Sequence, residues 1–437
     1  MSSPELLHPF LSQLEHQPAW RWRGRVNKVL GYLVESEGPV CSLGESSEIV
    51  GANGRRHLAE VVGFRGNTVL SMLLDQPGGI RYGDCIMSRG GRPGLLVGED
   101  MLGRVIDGMG KPLDGRGNFR AQQRWSLERP FASPLDRTPI RDPLGCGIRA
   151  IDAFITCGRG QRLGIFGGSG VGKTTLIGMM AKGSAADLTV LALVGERGRE
   201  VRDFLEESLG PEGIRRSVVV VSTSDQSPLR RIRAAQTASA ISEYFCSQGK
   251  HVLLVVDSLT RIAMAQREIG LAAGEPPTAK GYTPSVFSLL ARLIERAGHF
   301  GVGSITAFFT VLMEGDDQQD TLVDAARALL DGHIVLDRRL SAQGHYPAIS
   351  VLDSLSRLMP ALCSPEHMNK AQRLRHLLAV YLRSEDLIRI GAYQRGSDPE
   401  LEQALAVLGP LTAFLRQKKV EVAAFEQTRS ALLALAC

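Results

Sequence analysis

The chain has 437 residues, with 51 Lys and Arg against 46 Asp and Glu, for a formal net charge of +5. Hydrophobic residues make up 43% and charged residues 22%, which excludes a largely disordered chain and a collagen-like repeat. The length is well above the roughly 150 residues of one domain, so two or three domains are expected.

The opening stretch, Met1 to Gln17, has no basic segment followed by an apolar one, so no secretory signal is expected. Leu6, Leu7, Phe10, Leu11 and Leu14 fall at helical spacing and form one apolar face. Pro9 works against that helix, because an interior proline loses a hydrogen bond and clashes with the preceding turn. The face reads either as a short helix packed on its own domain or as a docking helix for a partner. The longest apolar runs, such as Val252 to Val256, are far shorter than the roughly 20 residues that span a bilayer. Cys41, Cys85, Cys146, Cys157, Cys246, Cys363 and Cys437 are scattered and form no CxxC pair. That argues against a disulfide framework or a zinc site and suits a reducing cytosol. The small net charge alone does not predict nucleic-acid binding.

From Arg23 to about Ser88, short runs rich in Val, Leu and Ile alternate with turn residues. Leu58–Phe64 and Thr68–Leu74 are the clearest strands. Asn53-Gly54 is a hairpin signal, and Asp75 to Gly79 is another turn. Strands at this spacing predict a small antiparallel barrel. Gly90 to Gly94 then reads as a linker.

Between about 150 and 360 the pattern is α/β. Leu163–Phe166, Thr189–Val194, Ser217–Val221 and Val252–Val256 look like strands buried on both faces. Helical stretches such as Leu229–Phe245 separate them, which predicts a mostly parallel sheet flanked by helices. After about 365 strand signals vanish. Leu374, Leu377, Leu378 and Tyr381 follow helical spacing, and Ser397 with Glu400 reads as a capping box that opens another helix.

The chemistry centres on Gly167-Gly168-Ser169-Gly170-Val171-Gly172-Lys173-Thr174, which fits the phosphate-loop pattern G-x-x-x-x-G-K-[ST]. Glycines let successive backbone N–H groups turn toward phosphate oxygens. Lys173 supplies positive charge to the β- and γ-phosphates, and the Thr174 hydroxyl is a Mg²⁺ ligand candidate. The helix from Thr175 to about Lys182 turns its positive dipole end to the anion. Asp257 ends the apolar run His251–Asp257, where a carboxylate can hold Mg²⁺ through its water shell. Glu196 follows the strand Thr189–Val194 and faces the same crevice. There it can orient and polarise the water that attacks the γ-phosphate. Arg199 and Glu200, nearby, suit internal ion pairs.

These residues carry a resemblance. Leu102-Gly103-Arg104-Val105-Ile106-Asp107-Gly108, Gly158-Arg159-Gly160-Gln161-Arg162 and Gly195–Glu200 resemble the rotary ATPase superfamily. Gly274-Glu275-Pro276-Pro277, Glu314-Gly315-Asp316-Asp317 and Tyr346–Arg357 match it as well. Within it the chain is most similar to the type III protein-export ATPases. The run from Glu314 to Asp320, and Gly391-Ala392-Tyr393 with Gly396-Ser397-Asp398-Pro399, point to the flagellar branch. The similarity runs from about residue 21 to the C-terminus.

The resemblance implies a RecA-like P-loop ATPase core, an N-terminal β-barrel and a C-terminal helical domain. The expected division is 1–20 for the docking helix, 21–95 for the barrel, 96–365 for the ATPase core and 366–437 for the helices. It implies a ring of six subunits with nucleotide at the interfaces, and ATP and Mg²⁺ as cofactors. Arg357 matches an arginine finger that reaches into a neighbour's site, and Tyr346 an aromatic that stacks on adenine. Arg197 and Arg261 match positions that line the crevice. Glu196 and Arg357 occur on one polypeptide, so a homohexamer can complete every interface with its own copies. Four residues depart from the pattern. Ser350 stands where Asp is usual, and Thr321, Thr283 and Ala291 stand where Pro is usual.

The expected function is an ATP-hydrolysing motor that serves protein export at the cytoplasmic face of the inner membrane. Implied partners are a stator-like regulator at the N-terminal helix, a central coiled-coil stalk, export chaperones with their cargo, and the membrane export gate. One alternative is a catalytic subunit of a rotary ATP synthase. Another is a scaffold that binds nucleotide without turnover. A nucleic-acid translocase would need exposed aromatics on its barrel. Trp22, Phe64 and Tyr82 are few and spaced like core residues, so no nucleic-acid partner is expected.

Overall fold

A computed structural model describes residues 21–436, apart from 52–53, 122, 129–132, 314–319 and 395. The expected helix within residues 4–16, Asn53 of the hairpin signal and the stretch Glu314 to Gln319 lie outside the described residues.

Six antiparallel strands close into a barrel in the order Arg23–Leu30, Leu33–Glu37, Thr68–Leu73, Arg56–Arg65, Ser46–Val50 and Cys85–Ser88. Alternation along the strands sends Val26, Val34, Ile49, Ala59, Leu73 and Ile86 inward. Gly24 allows the first strand to pass the turn at Gly38. A Cβ at Gly24 would lie 2.3 Å from the Gly38 carbonyl carbon. Trp22, Phe64 and Tyr82 are 58%, 52% and 81% exposed, so the expectation that they pack in the core is wrong. Trp22 precedes the first strand, Phe64 sits near the tip of the long hairpin, and Tyr82 lies in the turn before Cys85–Ser88. None is on an inward-facing strand position. The linker is shorter than expected. Gly94 already opens the strand Gly94–Val97, which pairs with Gln123–Ser126.

The core is a nine-stranded sheet. Its path runs Ile349–Ser356, Gly332–Leu336, Arg162–Gly167, Ser304–Leu312, His251–Asp257, Leu188–Glu196, Ser217–Thr223 and Val105–Asp107. Neighbours are parallel along this path, except that Ile349–Ser356 is antiparallel to Gly332–Leu336. The short strand Gly298–His299 pairs off the path with Ser304–Leu312. Central strands are apolar on both faces because helices cover both. Val190, Ala192 and Val194 pack with the helices Pro228–Ser247, Leu259–Ala273 and Pro284–Ile294. Leu191 and Leu193 pack into the opposite core with the helices Arg149–Phe154 and Lys173–Gly183.

The barrel is tied to this core by the helix Pro228–Ser247. Ser227 Oγ and Arg230 Nε donate to the Leu74 carbonyl at 2.8 and 2.9 Å, and Arg230 pairs with Asp75 at 2.6 Å. Arg233, 1% exposed, is ion-paired with Glu60 of the barrel.

Helices Pro365–Arg389, Pro399–Leu415 and Phe425–Ala434 complete the chain. The expected apolar stripe is seated as Leu374 and Leu377, both buried, with Leu378 and Tyr381 partly buried beside them. The expected cap is displaced by one residue. Asp398, not Ser397, caps Pro399–Leu415 by accepting from the Glu400 and Leu401 amides at 2.9 and 3.2 Å. Pro399 is suited to the first helical position, which makes the residue before it the cap. Ser397 instead donates to the Gln394 carbonyl, and Glu400 engages His376. Among the described residues, no helix is long and apolar enough to cross a membrane.

The departures from the family pattern are absorbed locally. Ser350 Oγ donates to Asp353 at 2.6 Å within an unbroken strand. Thr321 opens a helix capped by Asp320, and Thr283 precedes Pro284 at the start of another that contains Ala291.

Candidate functional site

The phosphate-loop strand Arg162–Gly167 is gripped on both sides, by Ser304–Leu312 and Gly332–Leu336. Its loop therefore leaves a fixed edge of the sheet. Gly170 and Gly172 have φ of +78° and +101°, backbone that L side chains rarely adopt. Gly172 caps the helix Lys173–Gly183, which starts two residues earlier than the sequence suggests. Lys173 is buried, and its Nζ donates to the Gly167 and Gly168 carbonyls at 2.7 and 2.6 Å. Thr174 is exposed in the first turn, and Thr175 lines the cavity beside it.

Asp257 ends its strand beside this loop, buried. Thr310 of the adjacent strand donates a hydrogen bond to its Oδ1 at 2.5 Å. Burial raises the Asp257 carboxyl above its usual range, against the Thr310 hydrogen bond and the charges of Lys173 and Arg261. A buried carboxylate that still lacks full compensation suits a divalent cation. Among the described residues, no group of three or more His, Cys, Asp or Glu is placed to hold a metal.

Glu196 closes the strand Leu188–Glu196 on the same edge. Burial, then a hydrogen bond with Glu200, then the charge of Asp257 push its carboxyl up to about 7. The same interaction lowers Glu200. Glu200 accepts from the Arg197 amide at 3.4 Å, and the charges of Arg197 and Arg261 also act on it. Arg199 does pair, with Asp203 at 3.6 Å. Arg197 is exposed at the start of the helix Gly198–Asp203. Arg261 packs on Gly195, where a Cβ would lie 2.9 Å from its side chain. Its charge acts on both Glu196 and Asp257, and its Nε is buried without a hydrogen-bond partner among the described residues.

Tyr346 lies on the other flank, 48% exposed. A Cβ on Gly172 would be 3.8 Å from its ring, and its hydroxyl is 3.0 Å from Ser341 Oγ. Beside it opens a cavity of about 660 Å³, also bounded by Met179, Gln417, Lys418 and Lys419. The sequence reading missed that last segment, and also Thr310.

Arg357 is elsewhere. It follows Ser356, which pairs with Gly332 at the edge where the parallel strands begin. The phosphate loop leaves where they end. The six-residue strand Arg162–Gly167 sets the two edges about 17 Å apart. Arg357 is exposed and is not part of its own chain's site.

So Lys173, Asp257, Glu196 and Arg261 converge at the end of the sheet, with Thr174, Thr175 and Tyr346 at its mouth. Residues 26–90 match the ATP synthase alpha/beta family beta-barrel domain, and residues 147–356 match that family's nucleotide-binding domain. The chain belongs to the ATP synthase alpha/beta family. Residues 363–434 match the C-terminal domain of the T3SS EscN ATPase, which places the chain in the type III export branch. It is 49% identical to a flagellum-specific ATP synthase of Bacillus subtilis, over 97% of each chain. It is 46% identical to a type 3 secretion system ATPase of Sinorhizobium fredii, over 93% of this chain and 90% of the relative. Among solved structures, the assembled ATPase EscN of the enteropathogenic E. coli type III secretion system matches with a TM-score of 0.88. That match is 41% identical and covers 94% of this chain and 99% of EscN. EscN in complex with its central stalk EscO matches at a TM-score of 0.87 and 40% identity, over 94% and 99% of the two chains.

Proposed function

We propose that this chain hydrolyses ATP as the motor subunit of a flagellar or related type III protein-export apparatus. The observation that carries the reading is the convergence of Glu196 with Lys173 and Asp257 at one end of the sheet, in a chain akin to export ATPases. The Glu196 carboxyl is raised to about 7. A base of that pKa is matched to neutral pH.

Lys173 leaves the Gly167 and Gly168 carbonyls for phosphate oxygens when nucleotide enters, and the loop amides complete the cradle. Glu196 takes a proton from the attacking water as its oxygen bonds to the γ-phosphorus. The bond to the β,γ-bridging oxygen then breaks, giving ADP and phosphate. Thr174 and Asp257, the latter through water, would hold Mg²⁺, which offsets negative charge on the phosphates. Arg261 and Arg197 line the crevice, and Tyr346 supplies a face for the base.

Arg357 cannot reach its own site, which supports a finger role in a neighbouring copy. The assembled EscN and its complex with EscO support a ring of identical subunits, six in this reading, around a central stalk. The same reading gives the chain a stator-like regulator at residues 1–20, export chaperones with their cargo, and an export gate at the cytoplasmic face of the inner membrane. The segments 1–20, 21–95, 96–365 and 366–437 would be its working parts. Exposure of Trp22 and Tyr82 removes the sequence argument against nucleic acid. Kinship with export ATPases now carries that exclusion.

Phosphate release from MgATP tests this reading. Glu196→Gln should still bind ATP and hydrolyse it about 10²–10⁴ times more slowly, the usual worth of a general base. Wild-type rings that bind ATP and release no phosphate would favour a scaffold instead.

A further inference from the structure

The wall of the base-side cavity that faces Tyr346 comes from residues 416–421, a segment remote in sequence from the phosphate loop. Among its polar side chains, Gln417 is engaged by protein. Gln417 Nε2 donates to the Gly147 and Glu421 carbonyls at 2.7 and 2.9 Å, and Oε1 accepts from the Arg149 amide at 2.8 Å. The Gln417 amide donates to the Tyr346 carbonyl at 2.9 Å, which joins the wall to the stacking residue. Both Nε2 hydrogens of Gln417 are thus used within the protein, and the segment's backbone is held against Tyr346.

Beside Gln417, one further side chain sets that position. Arg149 Nε donates to the Phe414 carbonyl at 2.7 Å. Its other two nitrogens donate to the Arg416 carbonyl and the Glu421 carboxylate. The guanidinium thus grips both ends of the segment, and it holds the Glu421 carboxyl below its usual range. A planar fork with fixed donor directions suits three simultaneous acceptors, and a lysine does not. Val422 and Ala423 close the loop against Gly183 and Gly147.

On the reading that nucleotide occupies the phosphate loop, we infer that Arg149 is a positioning residue for the base. It fixes the 416–421 wall against Tyr346 and so sets affinity for the nucleoside half of ATP, not for its phosphates. Phe414 belongs to the helix Pro399–Leu415, so the same side chain ties the base site to the C-terminal helices.

The test is calorimetric titration of the full chain with MgADP and, separately, with magnesium tripolyphosphate, which has no base. Arg149→Ala should weaken ADP about tenfold, the scale of a lost charged hydrogen bond, and leave tripolyphosphate within about twofold. KM for ATP should rise by a similar factor with kcat held. Arg149→Lys should restore only part of the loss. Glu421→Gln keeps the packing and should weaken ADP alone by about threefold, so it carries the test should Arg149→Ala fail to fold. Equal weakening of both ligands, or no weakening of ADP in either variant, would overturn the role. A wild-type chain that binds neither ligand would overturn the nucleotide reading itself.

Discussion

Glu196 keeps its proton until about pH 7, because burial and Glu200 oppose its ionisation. The base is active only when ionised. The account therefore predicts that kcat/KM, which reports the free enzyme, rises about tenfold per unit below pH 7 and levels off above it. A profile flat from pH 5.5 to 8 would remove Glu196 from that role. The sign for stability is opposite. A carboxyl raised in the folded state binds more protons there than in the unfolded chain, so its contribution falls as pH rises from about 4.5 to 7. Several site residues were legible in sequence because each sits inside a local pattern. The phosphate loop is one contiguous string, and Glu196 and Asp257 each end an apolar run. Thr310 and Arg149 were not legible. Their partners, Asp257 and the 414–421 segment, lie far away in sequence, and only the sheet order and the C-terminal fold-back bring them close.

At the scale of elements, the barrel's attachment is the feature that the sequence concealed. Arg233 sits in the second turn of a largely buried helix, and nothing local marks its partner as Glu60 on a barrel strand. Burial lowers its guanidinium to about 10, so the pair must be intact to be tolerated. Arg233→Met should destabilise the fold by about 3–5 kcal/mol, because Glu60 is left charged and largely buried. Replacing Glu60 by Leu in the same chain should recover most of that loss. Thermal unfolding of wild type, both single variants and the double variant checks this, and full additivity of the two changes would contradict a direct pair. Strands and helices with strong periodicity were placed correctly. Caps and aromatic exposure were not. Pro399 decided the cap at Asp398, and strand ends decided the exposure of Phe64 and Tyr82. Both depend on where an element begins and ends, which periodicity defines poorly.

At the scale of the molecule, the proposed function puts the two halves of a site on opposite edges of one sheet in one polypeptide. Lys173, Asp257 and Glu196 face one way, and Arg357 lies at the other edge. On that proposal a single chain cannot complete its own site, and a closed ring of copies completes all of them. The overall architecture was readable because alternating strands and helices after a barrel pattern leave few arrangements. The separation of Arg357 from the phosphate loop was not, since it follows from the antiparallel return of the last strand.

The most direct measurement is phosphate release from rings assembled by mixing Glu196→Gln with Arg357→Ala, with joint composition verified by two affinity tags. Each variant alone should be nearly inactive. At a one-to-one ratio about a quarter of interfaces join an intact Glu196 to an intact Arg357, so activity should return to about a quarter of wild type if interfaces act independently. Verified mixed rings that stay as inactive as the separate variants at every ratio would contradict a site completed between subunits.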